Sequence, residues 1–244
     1  MNVTIIIPAR YASTRFPGKP LVELGGKSML MRVYEQAQKA KGISDIIIAT
    51  DDIRIQEHCI NHGAKICMTS TEHQTGTDRC VEVIEGFSTK PDIIINVQGD
   101  EPFINPKQIE QLIDLLQQEH IQIATLCKKI DAIEDITNPN IVKVVKSTKN
   151  KALYFSRQAI PYYREKQISE IYYKHLGIYG FKTETFLQLA KLPQSPLEKT
   201  ESLEQLRWLD NGYDIYLAET DFESVAIDTP EDVQKALDFL GLSS

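Results

Sequence analysis

Three isoleucine runs constrain this chain more than anything else in it: Ile5-Ile6-Ile7, Ile46-Ile47-Ile48 and Ile93-Ile94-Ile95. A half-exposed strand alternates apolar and polar side chains. A run apolar at every position suits a strand covered on both faces, as in a parallel sheet. Between the runs lie segments of helical period, such as Ile109, Leu112, Ile113, Leu115 and Leu116 within residues 106–118. Strands are expected over 3–7, 44–50, 65–68 and 92–97, and helices over 28–40, 53–62, 77–87 and 106–118. Alternation of this kind predicts a doubly wound α/β sheet with right-handed crossovers. Beyond about residue 121 the pattern loosens. Strands of mixed direction are expected over 141–147 and 172–181, one helix over 198–210, a strand over 213–218 and a closing helix over 230–240. Thr229-Pro230-Glu231-Asp232 makes a good start for that last helix.

With 244 residues and 42% hydrophobic content, the chain can bury a sizeable core as one domain over 1–244. The net charge of −7 argues against nucleic acid or an anionic membrane as the main partner. It leaves room for an anionic small molecule in a locally basic pocket. No apolar run is long enough to span a bilayer, and the first residues read as a strand, not a signal peptide. Cys59, Cys67, Cys80 and Cys127 form no CxxC pair and read as reduced thiols, so a cytoplasmic location is expected.

In doubly wound sheets ligands sit beyond the carboxyl ends of the strands, and the unusual residues of this chain gather there. The segment from Pro8 to Leu21 follows the first strand. It carries Arg10, Arg15 and Lys19 among small residues, two further prolines and a glycine. Backbone amides and cations together can hold a triphosphate, although this is no Walker loop, since GxxxxGK[ST] is missing. A solvated basic turn is the plainer reading, and the position at a strand end favours the functional one. Asn96-Val97-Gln98-Gly99-Asp100-Glu101-Pro102 places an acid at the end of another buried strand, where it can hold Mg²⁺. The plainer reading has Asp100 capping the helix near Pro106, but it stands rather far from that start. Asp228 reads first as part of an ordinary helix cap, and with Asp100 it makes a two-carboxylate metal site plausible. His73 to Arg79 enters a helix with hydroxyls and Gly76, although Thr77 serving as a cap explains it as simply. Arg157 is a candidate clamp for a substrate carboxylate. His175 lies in a strand with two glycines, where a structural role competes with substrate contact.

Three constellations read as scaffold. His58 and His62, at i,i+4 with Cys59 between them, lack the Glu of a zincin and fit a solvated face. The charges from Glu198 to Arg207 fit an exposed helix face. The tyrosine pairs at 162–163 and 172–173 fit packing or an interface.

Taken in order, IPARYASTRFPGKPL, HQTGTDR, NVQGDEP, YFSR followed by IP, HLGIYGF, SPLEKTESLEQLR and DTPED resemble the 3-deoxy-manno-octulosonate (Kdo) cytidylyltransferases over almost the whole chain. The first motif alone also fits the acylneuraminate cytidylyltransferases. HLGIYGF and LEQLR point to the Kdo branch. The resemblance implies a nucleotide-diphospho-sugar transferase type of α/β fold. It implies transfer of CMP from CTP to Kdo with release of pyrophosphate, Mg²⁺ as cofactor, and a homodimer paired through the second half, about 121–244. The product would serve lipopolysaccharide assembly. It assigns Ala9, Arg10, Arg15, Lys19, Gly76, Arg79 and Asp100 to the nucleotide, with Lys19 and the arginines on its phosphates. Asp100 and Asp228 go to Mg²⁺, and Gln98, Arg157, His175, Tyr179, Glu204 and Gln205 to the acidic sugar. Lys19, Arg10, Asp100 and Asp228 carry catalysis.

Thr75 stands where the family usually has Ser, Phe16 where it has Leu and Ile227 where it has Val. These changes bear on the sugar and not on the reaction, and the 8-amino analogue of Kdo or another 2-keto acid sugar is the alternative acceptor. A non-catalytic nucleotide-binding protein on the same fold is disfavoured by the joint presence of Lys19, Asp100 and Asp228.

Overall fold

The computed structural model describes residues 1–12, 16–73, 75–165, 170–223, 227 and 229–242. In chain order the first elements are β1 (Val3–Pro8), α1 (Met29–Gln38), β2 (Asp45–Thr50), α2 (Ile53–Asn61), β3 (Ile66–Met68), α3 (Gly76–Glu85), β4 (Ile93–Asn96) and α4 (Pro106–Leu116). They match the expected boundaries to within two residues. Next come β5 (Ile123–Lys129), α5 (Ile133–Thr137), β6 (Lys143–Lys146), β7 (Ala152–Ser156), β8 (Tyr173–Lys182), α6 (Thr183–Leu189), α7 (Pro196–Glu201), α8 (Gln205–Asp210), β9 (Ile215–Glu219) and α9 (Pro230–Phe239). The chain forms two compact units, Met1–Glu110 with Glu223–Ser244, and Gln111–Phe222. The boundary thus falls inside α4, ahead of the expected change at about 121, and the closing helix belongs with the first unit.

In the first unit β1 pairs in parallel with β2 on one side and β4 on the other, and β3 extends the sheet beyond β2. The isoleucine runs carry these registers, with Ile5 opposite Ile46 and Ile95. Ile5, Ile6, Ile7 and Ile93, Ile94, Ile95 are all fully buried, as a strand covered on both faces requires. The strand order 3-2-1-4 means that the chain winds outward through β2 and β3 and then crosses back to the other side of β1. The topological switch lies between β1 and β4, where such sheets open a crevice. Leu24, Met29, Ile227 and Ala236 form a core beneath α9, joined by Phe103, Val233 and Leu240.

The second unit is a mixed sheet. β5 runs antiparallel to β8 and parallel to β9, while β6 and β7 form an antiparallel pair whose β6 also meets β8. The loosened pattern beyond 121 reflects this mixture. It hid β5, β7, α5 and α6, none of which stands out by period alone.

Three local expectations change. The helix over 198–210 is two helices, α7 and α8, parted at Ser202, which takes the left-handed conformation at φ 53°. Its charges are no exposed face, because Glu198 and Arg207 are both buried. The cap of α3 is Thr75 and not Thr77. The Thr75 hydroxyl accepts from Asp78 N while the Asp78 carboxylate accepts from Thr75 N, a closed capping box. His58 is only partly exposed. Its Nε2 lies 2.8 Å from Ser28 Oγ, and its ring centroid lies 4.2 Å from that of the exposed His62, with the planes tilted by 34°.

Candidate active site

The two strands flanking the switch each deliver chemistry from their carboxyl ends. Beyond β1 the chain loops through Ala9 and Arg10 to a single 3-10 turn at Lys19–Leu21. Gly18, at φ 74°, leads into it, a conformation that a side chain would strain. Ala9 is buried and donates its N–H to Ala49 O on β2, which anchors the loop's first residue. Lys19 Nζ meets Asp100 Oδ2 at 2.8 Å, with the two side chains 12% and 30% exposed. This ion pair joins the loop after β1 to the turn after β4. Gly99 makes the approach possible, since a Cβ there would stand 3.0 Å from Pro8 O. Asp100 does not cap α4; Asn105 Oδ1 takes that part by accepting from Lys107 N. Gln98 is half-buried beside it.

The start of α3 closes on the same strand end. Gly76 packs against the Pro8 ring, where a Cβ would come within 3.3 Å of Cγ. Arg10 donates from Nη2 to His73 O at 2.8 Å, and His73 Nε2 pairs with Glu82 on α3. Arg79 is buried. Its guanidinium bonds Thr69 Oγ1 and Asp51, so it ties α3 to the end of β2, while its Nε has no partner among the described residues. Arg15 and Asp228 lie outside the described residues. Ile227, next to Asp228 in sequence, donates its N–H to Asp100 O at 3.0 Å.

Asp100 suits a divalent cation of hard character. Its carboxylate is partly exposed at a strand end, and its partner there is a cation. Among the described residues no three His, Cys, Asp or Glu side chains converge on a common centre. One or two carboxylates completed by phosphate oxygens and water is a donor set that Mg²⁺ accepts.

The second unit assembles the other candidates. His175 and Tyr179 lie on β8, with ring centroids 5.3 Å apart. His175 is half-buried and its Nε2 lies 3.0 Å from Thr125 Oγ1; burial of the ring pushes its pKa down to about 3, so the imidazole is neutral. Tyr179 stands edge-on to Trp208 of α8 at 5.1 Å. Burial, then the charge of Glu204, holds its phenol well above the usual range, so it keeps its proton. Its hydroxyl oxygen is buried near the Thr125 side chain but makes no well-formed hydrogen bond among the described residues, since the Thr125 hydroxyl donates to Leu176 O and Ile178 O; Gln205 Nε2 is buried and unmet too. Unmet buried polar atoms cost about 1–3 kcal/mol each, so both stand ready for a polar ligand. Arg157 is less open than a clamp. Nε donates to Glu201 O at 2.7 Å, Nη1 to Pro139 O at 2.9 Å and Nη2 to Ser202 O at 3.4 Å, which among the described residues leaves the second protons of Nη1 and Nη2 for a ligand.

Sequence reading missed Thr125, Glu82 and the pairing of Glu198 with Arg207. A threonine in a strand and a glutamate in a helix carry no local mark of such contacts, which link residues distant along the chain. A cavity of about 410 Å³ lined by Ile47, Lys65, Ile66, Cys67, Val83 and Phe87 lies along β2, β3 and α3 and takes in none of the candidate residues.

A cytidylyltransferase family model matches residues 4–219. A 3-deoxy-manno-octulosonate cytidylyltransferase of Parabacteroides distasonis is 48% identical over 244 residues, covering 96% of each chain. One of Cytophaga hutchinsonii is 46% identical over 239 residues, covering 96% of this chain and 95% of that one. Among solved structures, a CMP:2-keto-3-deoxy-manno-octonic acid synthetase complexed with CTP superposes with a TM-score of 0.93 at 40% identity, covering 99% of both chains. A 4-diphosphocytidyl-2C-methyl-D-erythritol synthase from Anaerococcus prevotii, 15% identical with a TM-score of 0.64 over 98% of this chain and 96% of that one, shares the fold.

Proposed function

The chain belongs to the 3-deoxy-manno-octulosonate cytidylyltransferase family, and on that premise we propose that it transfers CMP from CTP to the anomeric hydroxyl of Kdo, yielding CMP-Kdo and pyrophosphate. The observation that carries this reading is the Lys19–Asp100 pair, a cation and a carboxylate brought together from the ends of adjacent parallel strands. In the transfer the sugar oxygen bonds to the α-phosphorus and releases its proton. The bond from that phosphorus to the bridging oxygen breaks, and the electron pair leaves with pyrophosphate. Such a displacement asks little covalent chemistry of the protein, so positioning and charge dominate.

Arg10, Arg15 and Lys19 would hold the phosphates and offset the charge that grows on their oxygens. Ala9 and Gly76 let backbone approach the nucleotide, and Arg79 braces α3 beneath it. Asp100, with Asp228, would hold Mg²⁺, which when bound polarises and orients phosphate oxygens. Tyr179 and Gln205 would donate to the sugar's oxygens from their unmet polar atoms. Glu204 would accept from its hydroxyls, and neutral His175 would contact it without adding charge. Arg157 would offer its remaining protons to the sugar, and Gln98 is assigned to it by the family motifs alone.

The finer setting belongs to the same proposal: a homodimer in the cytoplasm serving lipopolysaccharide assembly. Leu153 on β7 and Tyr162 are strongly exposed, at 61% and 89%, which supports pairing through the second unit. No helix among the described residues is long and apolar enough to cross a membrane. Light scattering on the purified protein tests the dimer.

The central test is pyrophosphate release from CTP and Mg²⁺ with Kdo or its 8-amino analogue. Turnover about tenfold or more faster with Kdo is expected. A reversed preference moves the assignment to the amino sugar. No release with either, from protein that binds CTP, leaves a nucleotide-binding protein without transferase activity.

A further inference from the structure

Glu198 and Arg207 stand nine residues apart, and in one continuous helix that separation would put them about 13.5 Å from each other along the axis. Here Arg207 Nε and Nη2 reach the two Glu198 oxygens at 2.7 and 2.6 Å, a bidentate pair enclosed by protein. Only the broken helix allows that contact, and the contact in turn fastens the break. Glu198 also accepts from Ser195 N at the start of α7, and Arg207 Nη1 donates to Leu192 O. Arg157 takes the carbonyls of Glu201 and Ser202 at the end of α7. Ser156 Oγ and Arg157 N donate to the Glu201 carboxylate.

The sugar-side chemistry begins just past the break. Glu204 stands at the N-cap position of α8, without a side-chain capping bond, and Gln205 opens the helix, with its Nε2 buried and unmet among the described residues. Trp208, three residues on and so on the same helix face, packs edge-on to Tyr179, whose hydroxyl is unmet as well. We propose that the Glu198–Arg207 pair is a positioning device for the acceptor sugar: it fixes the α7–α8 break so that Glu204 and Gln205 are presented beside Tyr179. The proposal rests on the Kdo reading of the site. A fixed fork matters more here than charge alone, because a lysine at 207 keeps the charge but cannot bond both oxygens in one plane.

The test is steady-state kinetics on the intact protein carrying Arg207→Lys or Glu198→Gln, with CTP and Kdo varied separately and CTP affinity measured by calorimetry. The KM for Kdo should rise about tenfold in both variants while CTP affinity stays within about twofold of wild type. A general loss of structure would move both substrates together, in step with a falling Tm, and would overturn the proposal. So would an Arg207→Lys protein with wild-type KM for Kdo, since charge alone would then suffice. Should Glu198→Gln fail to fold, the milder Arg207→Lys decides between these results. Wild-type protein that binds CTP but never turns over Kdo overturns the Kdo reading, and this proposal with it. Wild-type turnover beside unaltered variants overturns this proposal alone.

Discussion

Lys19 Nζ lies 2.8 Å from Asp100 Oδ2 across 81 residues of chain. The pair is partly exposed, so its own contribution to stability is at most about 1 kcal/mol. In the proposed function it places a cation and a carboxylate where phosphate charge would develop. Lys19→Ala should therefore cut turnover by about a hundredfold or more while leaving thermal unfolding nearly unchanged. Asp100→Asn should remove the dependence of rate on Mg²⁺. Initial rates across a Mg²⁺ titration, beside thermal melts, check both, and a Lys19→Ala protein of near wild-type rate would remove Lys19 from the mechanism.

Gly99 is a packing requirement. A Cβ would press to 3.0 Å against Pro8 O, backbone at the end of an interior strand that cannot easily yield. Gly99→Ala should cost about 1–3 kcal/mol and lower turnover by shifting Asp100. Gly86→Ala is the control: Gly86 sits at φ −73° and its Cβ would meet nothing nearer than 3.4 Å. Urea denaturation of the two variants should separate them clearly.

The capping box of α3 makes a graded prediction. Thr75→Ala removes the acceptor for Asp78 N and should cost about 1 kcal/mol. Thr75→Ser keeps that oxygen and should lie near wild type in stability. If Thr75→Ser alters the choice between Kdo and its amino analogue, the threonine methyl shapes acceptor specificity, and competition assays would show it.

His175 links stability to pH. Its folded pKa of about 3 lies below the ordinary 6.5, so between those values the unfolded chain binds a proton that the folded protein refuses. Stability should therefore fall as pH drops below about 6.5, with a slope from this residue of up to about 1.4 kcal/mol per pH unit. His175→Asn should flatten that slope in urea titrations at stepped pH, whatever it does to absolute stability. The pH profile of kcat should show no inflection from His175 between pH 5 and 8.

Much of the first unit is legible along the chain. Parallel strands must be apolar on both faces, and Ile5, Ile6 and Ile7 say so without help from any other segment. The loops beyond them are marked by residue types rare in scaffold, such as Arg10, Lys19 and Asp100. The mixed sheet is less legible. β5 and β7 lack such runs, and their pairing partners lie far along the chain, so no local period announces them. The family motifs, read as a set, name the reaction class without any geometry.

Other features needed the fold. The helical period over 198–210 is a sound local signal, yet tertiary contact overrode it. A buried Glu198–Arg207 pair, Arg157 on the carbonyls at the end of α7 and a left-handed Ser202 together outweigh the hydrogen bonds that one continuous helix would have made. The same applies to the neutrality of His175 and the unmet hydroxyl of Tyr179, which depend on which side chains enclose them. Sequence by itself determined the periodic elements, the charged loops and the family, because those reside in neighbouring residues. Tertiary structure alone decided which charges are buried, which are paired and which polar atoms are left for a ligand, because burial and pairing are properties of distant segments brought together.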